Sequence, residues 1–154
     1  MDSPVLVSAC LAGARCRYDG RAATDPAVRD AVDAGHAVPV CPELLGGLAT
    51  PRRPAETTGD GTAVLDGTAR VVDDAGTDVT AEYLAGARRA LAVARAVGAT
   101  RAVLHERSPS CGATRRYDGS FGGRLVPGAG VTAALLSRHG IAVEPAERHA
   151  GESG

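Results

Sequence analysis

Short apolar runs alternate with amphipathic stretches along the chain. The runs have the length and continuity of strands that are buried on both faces. They are Val5 to Ala9, Ala37 to Val40, Ala102 to Leu104 and Ile141 to Val143. Each is separated from the next by a stretch long enough for a helix, and parallel strands need such crossover connections.

The stretches between the runs carry helix signals. We expect one helix to begin at Thr24, a suitable N-cap, and to end at Gly35. The longest helix is expected between Thr80 and Gly98, where apolar residues recur at three- and four-residue spacing. A last helix is predicted from Val131 to His139.

Two further segments have other patterns. Residues 42 to 62 are rich in Pro and Gly and have few periodic apolar positions, so we expect an ordered functional loop. Ala63 to Leu65 and Ala69 to Val72 flank Asp66-Gly67, a pair that favours a two-residue hairpin turn. This pattern predicts a small β-hairpin.

Together these elements predict one three-layer α/β domain, Rossmann-like or flavodoxin-like, with a short parallel sheet of about four strands and a small β-hairpin insertion. We expect residues 1 to 154 to form this single domain and residues 145 to 154, which are polar, to be a frayed tail. Ligands of such sheets bind at the carboxyl ends of the strands.

Composition narrows the function classes. The chain has 17 basic residues, all Arg, against 18 acidic ones, and a net charge of −1 disfavours broad nucleic-acid binding. The N-terminus has no basic, apolar leader and no apolar run approaches the roughly 20 residues that span a bilayer. We therefore expect a cytoplasmic protein with a small-molecule ligand. The oligomeric state is not predicted.

Three of the four cysteines follow predicted strands. Cys10 and Cys41 come directly after the first and second strands, and Cys111 lies in the loop after the third. We expect their thiols at one edge of the sheet, where converging thiolates need a metal or an iron–sulfur cluster to compensate their charge. The chain has no CxxC pair, which disfavours a zinc ribbon or a thioredoxin-type motif.

The number of ligands separates three hypotheses. Three ligands, Cys10, Cys41 and Cys111, would leave one iron of a four-iron cluster open to a substrate, with Cys16 as a nearby thiol; this is the arrangement we favour. Four ligands would indicate a non-catalytic iron–sulfur or zinc protein. A thiol-dependent transferase with Cys111 as nucleophile is the third hypothesis.

Polar residues near these cysteines are suited to acid–base and binding roles. Glu43, two residues after Cys41, is a candidate proton carrier, although an isolated Glu is more often a cap or surface residue. Ser108 and Ser110 flank Pro109 just before Cys111 and could donate hydrogen bonds or form an ST-turn. Arg52 is a candidate for an anionic or carbonyl group of the substrate.

The chain has only four aromatic residues, and three fall in the cysteine-bearing loops. These three, Tyr18, Tyr117 and Phe121, are candidates to stack on a ring or to shield a cluster. The fourth, Tyr83, is expected on the long helix.

In order along the chain, the motifs resemble the thiouracil desulfidase family over about residues 5 to 143. The matching segments are Val7-Ser8-Ala9-Cys10-Leu11, Cys16-Arg17-Tyr18-Asp19-Gly20, Cys41-Pro42-Glu43, Gly46-Gly47-Leu48, Thr50-Pro51-Arg52, Ser108-Pro109-Ser110-Cys111-Gly112, Tyr117-Asp118-Gly119 and Phe121-Gly122. Two positions depart from the family pattern: His105 replaces a usual Lys, and Ala12 replaces a common Leu.

The resemblance implies a [4Fe-4S] cluster held by Cys10, Cys41 and Cys111. Its open iron would bind the sulfur of a thiolated pyrimidine, a base or a nucleotide, and water would supply the new carbonyl oxygen without net redox change. Glu43 would carry a proton and Ser108 would be its polar partner in catalysis.

Overall fold

The fold is described by a computed structural model in which residues 3–146 are placed. Its strands are β1 (Val5–Ser8), β2 (Ala37–Val40), β3 (Ala55–Thr57), β4 (Val71–Asp73), β5 (Arg101–Leu104), β6 (Arg115–Tyr117), β7 (Leu125–Pro127) and β8 (Ala142–Pro145). Its helices are α1 (Pro26–Asp33), α2 (Pro42–Leu45), α3 (Gly61–Leu65), α4 (Thr80–Val97) and α5 (Val131–Arg138). A short 3-10 helix, Ala9–Ala12, follows β1 directly.

A four-stranded parallel sheet forms the centre of the molecule. The strand order is β2-β1-β5-β8, so the chain moves outward from β1 to β2 and then crosses back to β5 on the other side of β1. The direction of winding therefore reverses between β1 and β5. In open α/β sheets this reversal creates a crevice at the carboxyl ends of the strands.

Helices cover both faces of the sheet. Alternate residues of one strand point to opposite faces, and in β1 Leu6 joins the core under α4 and α5 while Val7 joins a second core with α1 and the 3-10 helix. The three-layer α/β architecture predicted from the sequence is confirmed. Within residues 3–146, no helix combines the length and apolarity needed to cross a membrane.

The predicted hairpin at residues 63 to 72 is wrong. The first half of that segment lies in helix α3, because the Asp60 carboxylate accepts a hydrogen bond from the Ala63 amide and caps the helix. The second half contains β4, which pairs antiparallel with β3 from the expected loop region. A second two-stranded sheet, β6 with β7, is a hairpin in the loop after Cys111.

Three boundaries also differ from the prediction. Asp25, not Thr24, is the N-cap of α1: its carboxylate accepts from the Ala27 amide at 3.0 Å. Thr80 is the first residue of α4, and its own amide donates to Asp78. At the other end, Pro145 still pairs with Leu104 in the sheet, so residue 145 is not part of a frayed tail; residues 147 to 154 lie outside the described residues.

Candidate active site

One cavity of about 720 Å³ lies at the carboxyl ends of the central strands. β1 leads into the 3-10 helix with Cys10, β2 ends directly before Cys41, and the loop after β5 carries Cys111. These three cysteines line the cavity, as the strand-end argument predicted, and Cys16 lines it as well. The reversal of winding between β1 and β5 thus creates a crevice whose wall is rich in sulfur.

The thiols lie close enough to affect each other's ionisation. Hydrogen bonding to the Cys10 thiol raises the pKa of Cys16 to about 11. A hydrogen bond with Cys16, followed by burial, raises the pKa of Cys41. Burial raises the pKa of Cys111, whose thiol lies close to the Ser8 hydroxyl. Without a compensating cation, the cavity therefore favours neutral thiols.

This arrangement fits a cluster better than a single ion. A tetrahedral zinc site needs sulfurs within about 4 Å of one another around one point. Nowhere in residues 3–146 do three Cys, His, Asp or Glu side chains approach closely enough to ligate one ion. Soft thiols spread around a cavity suit a cofactor with several iron atoms, because each iron takes its own thiolate ligand.

The carboxylate of Glu43 is held from two sides. Helix α2 begins directly after Cys41, and Glu43 lies in its first turn. Its Oε1 accepts from the Ser108 hydroxyl at 3.0 Å, and its Oε2 accepts from Arg52 Nε at 2.9 Å and from Arg52 Nη2. The Arg52 and Glu43 side chains are only 10% and 12% exposed. Glu43 and Ser108, the two predicted catalytic residues, are therefore in direct contact.

All five N–H groups of Arg52 are used within the protein. Besides Glu43, the guanidinium donates to the carbonyls of Cys16 and Ala49 and to the Thr50 hydroxyl. Burial opposes the positive charge, but the Glu43 carboxylate outweighs it and raises the pKa of Arg52. No N–H remains for a ligand, so the predicted substrate contact of Arg52 is replaced by a role in holding Glu43.

The two serines of the Cys111 loop have different surroundings. The Ser108 oxygen accepts from the amides of Ser110 and Cys111, both at 3.1 Å, and so fixes the turn that carries Cys111. The Ser110 hydroxyl is buried and pairs with Thr132 at 2.6 Å. Ser108 lines the cavity, whereas Ser110 lies behind the wall. The predicted substrate contact of Ser110 does not fit this placement.

The three loop aromatics meet at the cavity. Tyr18 and Phe121 are 42% and 40% exposed, and Tyr117 joins them in the cavity lining. The Glu56 carboxylate accepts from the amides of Gly119 and Phe121 and so anchors the loop that presents the Phe121 ring. Exposed rings beside a sulfur-lined cavity are suited to stacking on a flat ligand.

Helix α4 supplies a residue that the sequence did not predict, Tyr83. A Cβ on Gly46 would lie 2.0 Å from the Glu82 carbonyl oxygen, and one on Gly86 would lie 1.9 Å from that of Pro42. These two glycines let α2 and α4 touch through their backbones. Tyr83, only 3% exposed, is thereby brought to the cavity wall beside Glu43. The signal available in the sequence was a tyrosine on the predicted helix with a Gly three residues later.

Two arginines of the cavity lining, Arg17 and Arg107, were also not predicted as site residues. No hydrogen bond or ion pair involves either guanidinium within the part of the chain that the structure describes. Arg107 has a left-handed backbone, with φ of 73°, which is unfavourable for a residue with a Cβ. The preceding residue, Glu106, holds this loop by accepting from Thr114 and Arg115 amides.

Comparison with known proteins identifies the family of the chain. Residues 5–148 match the family described as 2-thiouracil desulfurase. The protein YbbK of Bacillus subtilis is 49% identical over 140 residues, which cover 90% of this chain and 93% of that protein. A solved structure named [4Fe-4S]-dependent thiouracil desulfidase TudS superposes with a TM-score of 0.85 at 42% identity, covering 98% of this chain and 95% of that one. The chain belongs to the 2-thiouracil desulfurase family.

Proposed function

We propose that this protein is a [4Fe-4S]-dependent desulfidase that replaces the sulfur of a thiolated pyrimidine with oxygen. The observation that carries the proposal is the Glu43 carboxylate, held by Arg52 and Ser108 in a cavity that four thiols also line. The name of the similar solved structure supports the same cofactor and substrate class. The overall reaction consumes water and releases hydrogen sulfide, and no net oxidation or reduction takes place.

Cys10, Cys41 and Cys111 are the ligands that we assign to the cluster. When bound through three thiolates, the cluster supplies an iron without a protein ligand, a Lewis acid for soft sulfur. Cys16 lines the same cavity and contacts the Cys10 and Cys41 thiols. We assign it no ligand role, and a four-ligand site remains the alternative that the ligand variants test.

Glu43 and Ser108 are the residues that we assign to proton transfer. The new carbonyl oxygen comes from water, which must lose its protons, while the departing sulfur must gain them. A carboxylate at the cavity wall is suited to take a proton from water and return it to sulfur. Ser108 donates to Glu43 Oε1 and so orients the carboxylate, while Arg52 holds Oε2.

The cavity mouth favours a nucleotide over a free base as the substrate. Arg17 and Arg107 line the cavity, and no acidic side chain pairs with either guanidinium among residues 3–146. Guanidinium groups with free N–H donors recognise phosphate well. A thiouridine monophosphate could place its ring near the aromatic residues and its phosphate near these two arginines. We place the reaction in the cytoplasm, where thiols remain reduced.

The test is anaerobic reconstitution with iron and sulfide, followed by incubation with 2- and 4-thiouracil and with 2- and 4-thiouridine monophosphate. We expect the thiocarbonyl absorbance to fall and one sulfide to be released for each thiocarbonyl group that is lost. Glu43→Ala should lose activity while keeping the cluster, and Glu82→Ala, on the neighbouring helix but not in the cavity lining, is the control.

Two results would refute the proposal. A colourless protein that holds one zinc and leaves every thiolated pyrimidine unchanged would support the non-catalytic four-cysteine alternative. Desulfuration at the same rate by cluster-free protein would instead support the cysteine-nucleophile alternative, in which Cys111→Ser abolishes the reaction.

A further inference from the structure

Tyr83 presents a buried hydroxyl to the cavity. Its ring is 3% exposed and lies on α4, where the contact of Gly46 and Gly86 brings this helix against α2. The phenol is in electrostatic range of Glu43 and Arg52 and of the Cys41 and Cys111 thiols. Tyr83 is thus far less exposed than two other aromatic residues of the lining, Tyr18 and Phe121.

No protein group satisfies this hydroxyl. Within the described residues, none makes a hydrogen bond to it, and the neighbouring polar groups are committed elsewhere: Glu43 Oε1 to Ser108, and Glu43 Oε2 to Arg52. The Tyr83 oxygen is also not fully buried. Among residues 3–146, the side-chain polar atom that is both fully buried and without a hydrogen-bond partner is Arg116 Nε, so the Tyr83 oxygen, which has no partner either, keeps some exposed surface. The Tyr83 hydroxyl is therefore reachable from the cavity.

The phenol is a donor at neutral pH. Burial, followed by the charge of Glu43, raises the pKa of Tyr83 well above its ordinary value, so the proton stays on the oxygen. A donor at a cavity wall that has no protein partner is commonly satisfied by a ligand or by water. A pyrimidine ring offers exocyclic oxygens as acceptors of this kind of hydrogen bond.

We infer that the Tyr83 hydroxyl binds the substrate ring by donating a hydrogen bond to the exocyclic oxygen that remains beside the sulfur. This inference rests on the proposed function and adds a binding residue to it. Tyr83 would then provide recognition by hydrogen bonding, whereas the exposed aromatic rings provide only stacking. A site that hydrogen-bonds a substrate group discriminates strongly against an analogue that lacks it.

The test is equilibrium binding of three ligands that contain no sulfur and so cannot react. Uracil carries oxygens at ring positions 2 and 4, while pyrimidin-4-one and pyrimidin-2-one each lack one of them. Calorimetric titration of the cluster-loaded wild-type protein should show at least about fivefold weaker binding of one analogue than of uracil. This comparison needs no variant.

The same titrations on Tyr83→Phe identify the bond. The variant should bind uracil about 5- to 100-fold more weakly than the wild-type protein, yet bind the analogue that lacks the partner oxygen with unchanged affinity. Cluster content and melting temperature should stay as in the wild type, because the removed hydroxyl has no protein partner. Ser137→Ala, which removes an exposed hydroxyl of α5, should leave all three affinities unchanged.

The outcomes separate the inference from the proposed function. If the wild-type protein binds none of the three rings, the inference fails, while the proposed function is decided separately by the desulfuration assay. If it binds uracil but does not discriminate between the ligands, or if Tyr83→Phe loses the same factor on all three or nothing on uracil, the inference alone is overturned.

Discussion

Arg52 donates hydrogen bonds from two of its N–H groups to one oxygen of the Glu43 carboxylate, and both side chains are nearly buried at the cavity wall. The remaining N–H groups of Arg52 donate to the Cys16 loop and to the segment at residues 49 and 50. The ion pair therefore connects the proposed proton carrier to two loops of the site.

Replacing Arg52 by Met should lower kcat about 10- to 100-fold with little change in KM, because the carboxylate loses its orientation while the ring contacts remain. Steady-state kinetics on cluster-loaded protein would show this. Arg53→Met is the matched control: Arg53 is exposed and pairs with Asp74 at the surface, so kcat should not change. Equal losses in both variants would argue against the orienting role.

The cysteine ligands can be separated by single substitutions. Cys10→Ser, Cys41→Ser and Cys111→Ser should each lose the brown colour and the bound iron, because a hydroxyl is a poor replacement for a soft thiolate. Cys16→Ser should keep both. Iron and sulfide analysis after anaerobic purification measures the difference, and loss of iron from Cys16→Ser would make Cys16 a ligand.

How far the sequence predicted this site depends on whether the contacts are local. Cys10 and Cys41 lie next to strand ends, so a pattern of apolar runs was enough to place them at one edge of the sheet. The hairpin prediction failed because β4 pairs with β3, a partner that an intervening helix separates in sequence. Tyr83 was missed for the same reason, since its place at the cavity depends on a backbone contact between α2 and α4.

Arg107 offers a test of the nucleotide preference. Arg107→Ala should raise KM for a thiouridine monophosphate about tenfold while leaving KM for the free thiouracil unchanged, because only the nucleotide has a phosphate to lose contact with. The free base is thus an internal control. A KM that rises equally for both substrates would contradict the assignment.

The backbone at Arg107 allows a second comparison at the same position. With φ of 73°, this residue has a conformation that Gly adopts without cost but that residues with a Cβ adopt at about 1 kcal/mol or more. Arg107→Gly should therefore be more stable to urea than Arg107→Ala by about 1 kcal/mol, while both show the same KM. A less stable glycine variant would mean that the loop conformation is not strained in the folded protein.

Glu106 should link the stability of the Cys111 loop to pH. Burial alone would raise the pKa of this carboxyl, but hydrogen bonds from Thr114 and Arg115 outweigh it and lower the pKa. Since the folded pKa is below the unfolded one, the stabilisation is fully present above the unfolded value and is lost as the pH falls through the folded value.

Glu106→Gln should accordingly cost about 1–3 kcal/mol of unfolding free energy at pH 7, and the difference from the wild type should shrink below about pH 4. Urea unfolding of both proteins over a pH series measures this. A difference that stays constant down to the lowest pH would show that the charge of Glu106 does not contribute.

The contact between α2 and α4 makes Gly86 a sensitive position. In the middle of a helix, replacing Gly by Ala ordinarily stabilises a protein by about 1 kcal/mol. Here the added methyl group would lie 1.9 Å from the Pro42 carbonyl oxygen, which belongs to the backbone and cannot rotate away. The two helices must separate, and Cys41 and Glu43 move with α2.

We therefore expect Gly86→Ala to destabilise the protein by at least about 2 kcal/mol and to weaken cluster retention during gel filtration. Ala92→Gly, on the exposed face of α4, is the control for helix propensity and should cost about 1 kcal/mol with the cluster intact. A stabilised Gly86→Ala variant would mean that the helices are not in backbone contact, and Tyr83 would then lose the packing that brings it to the cavity.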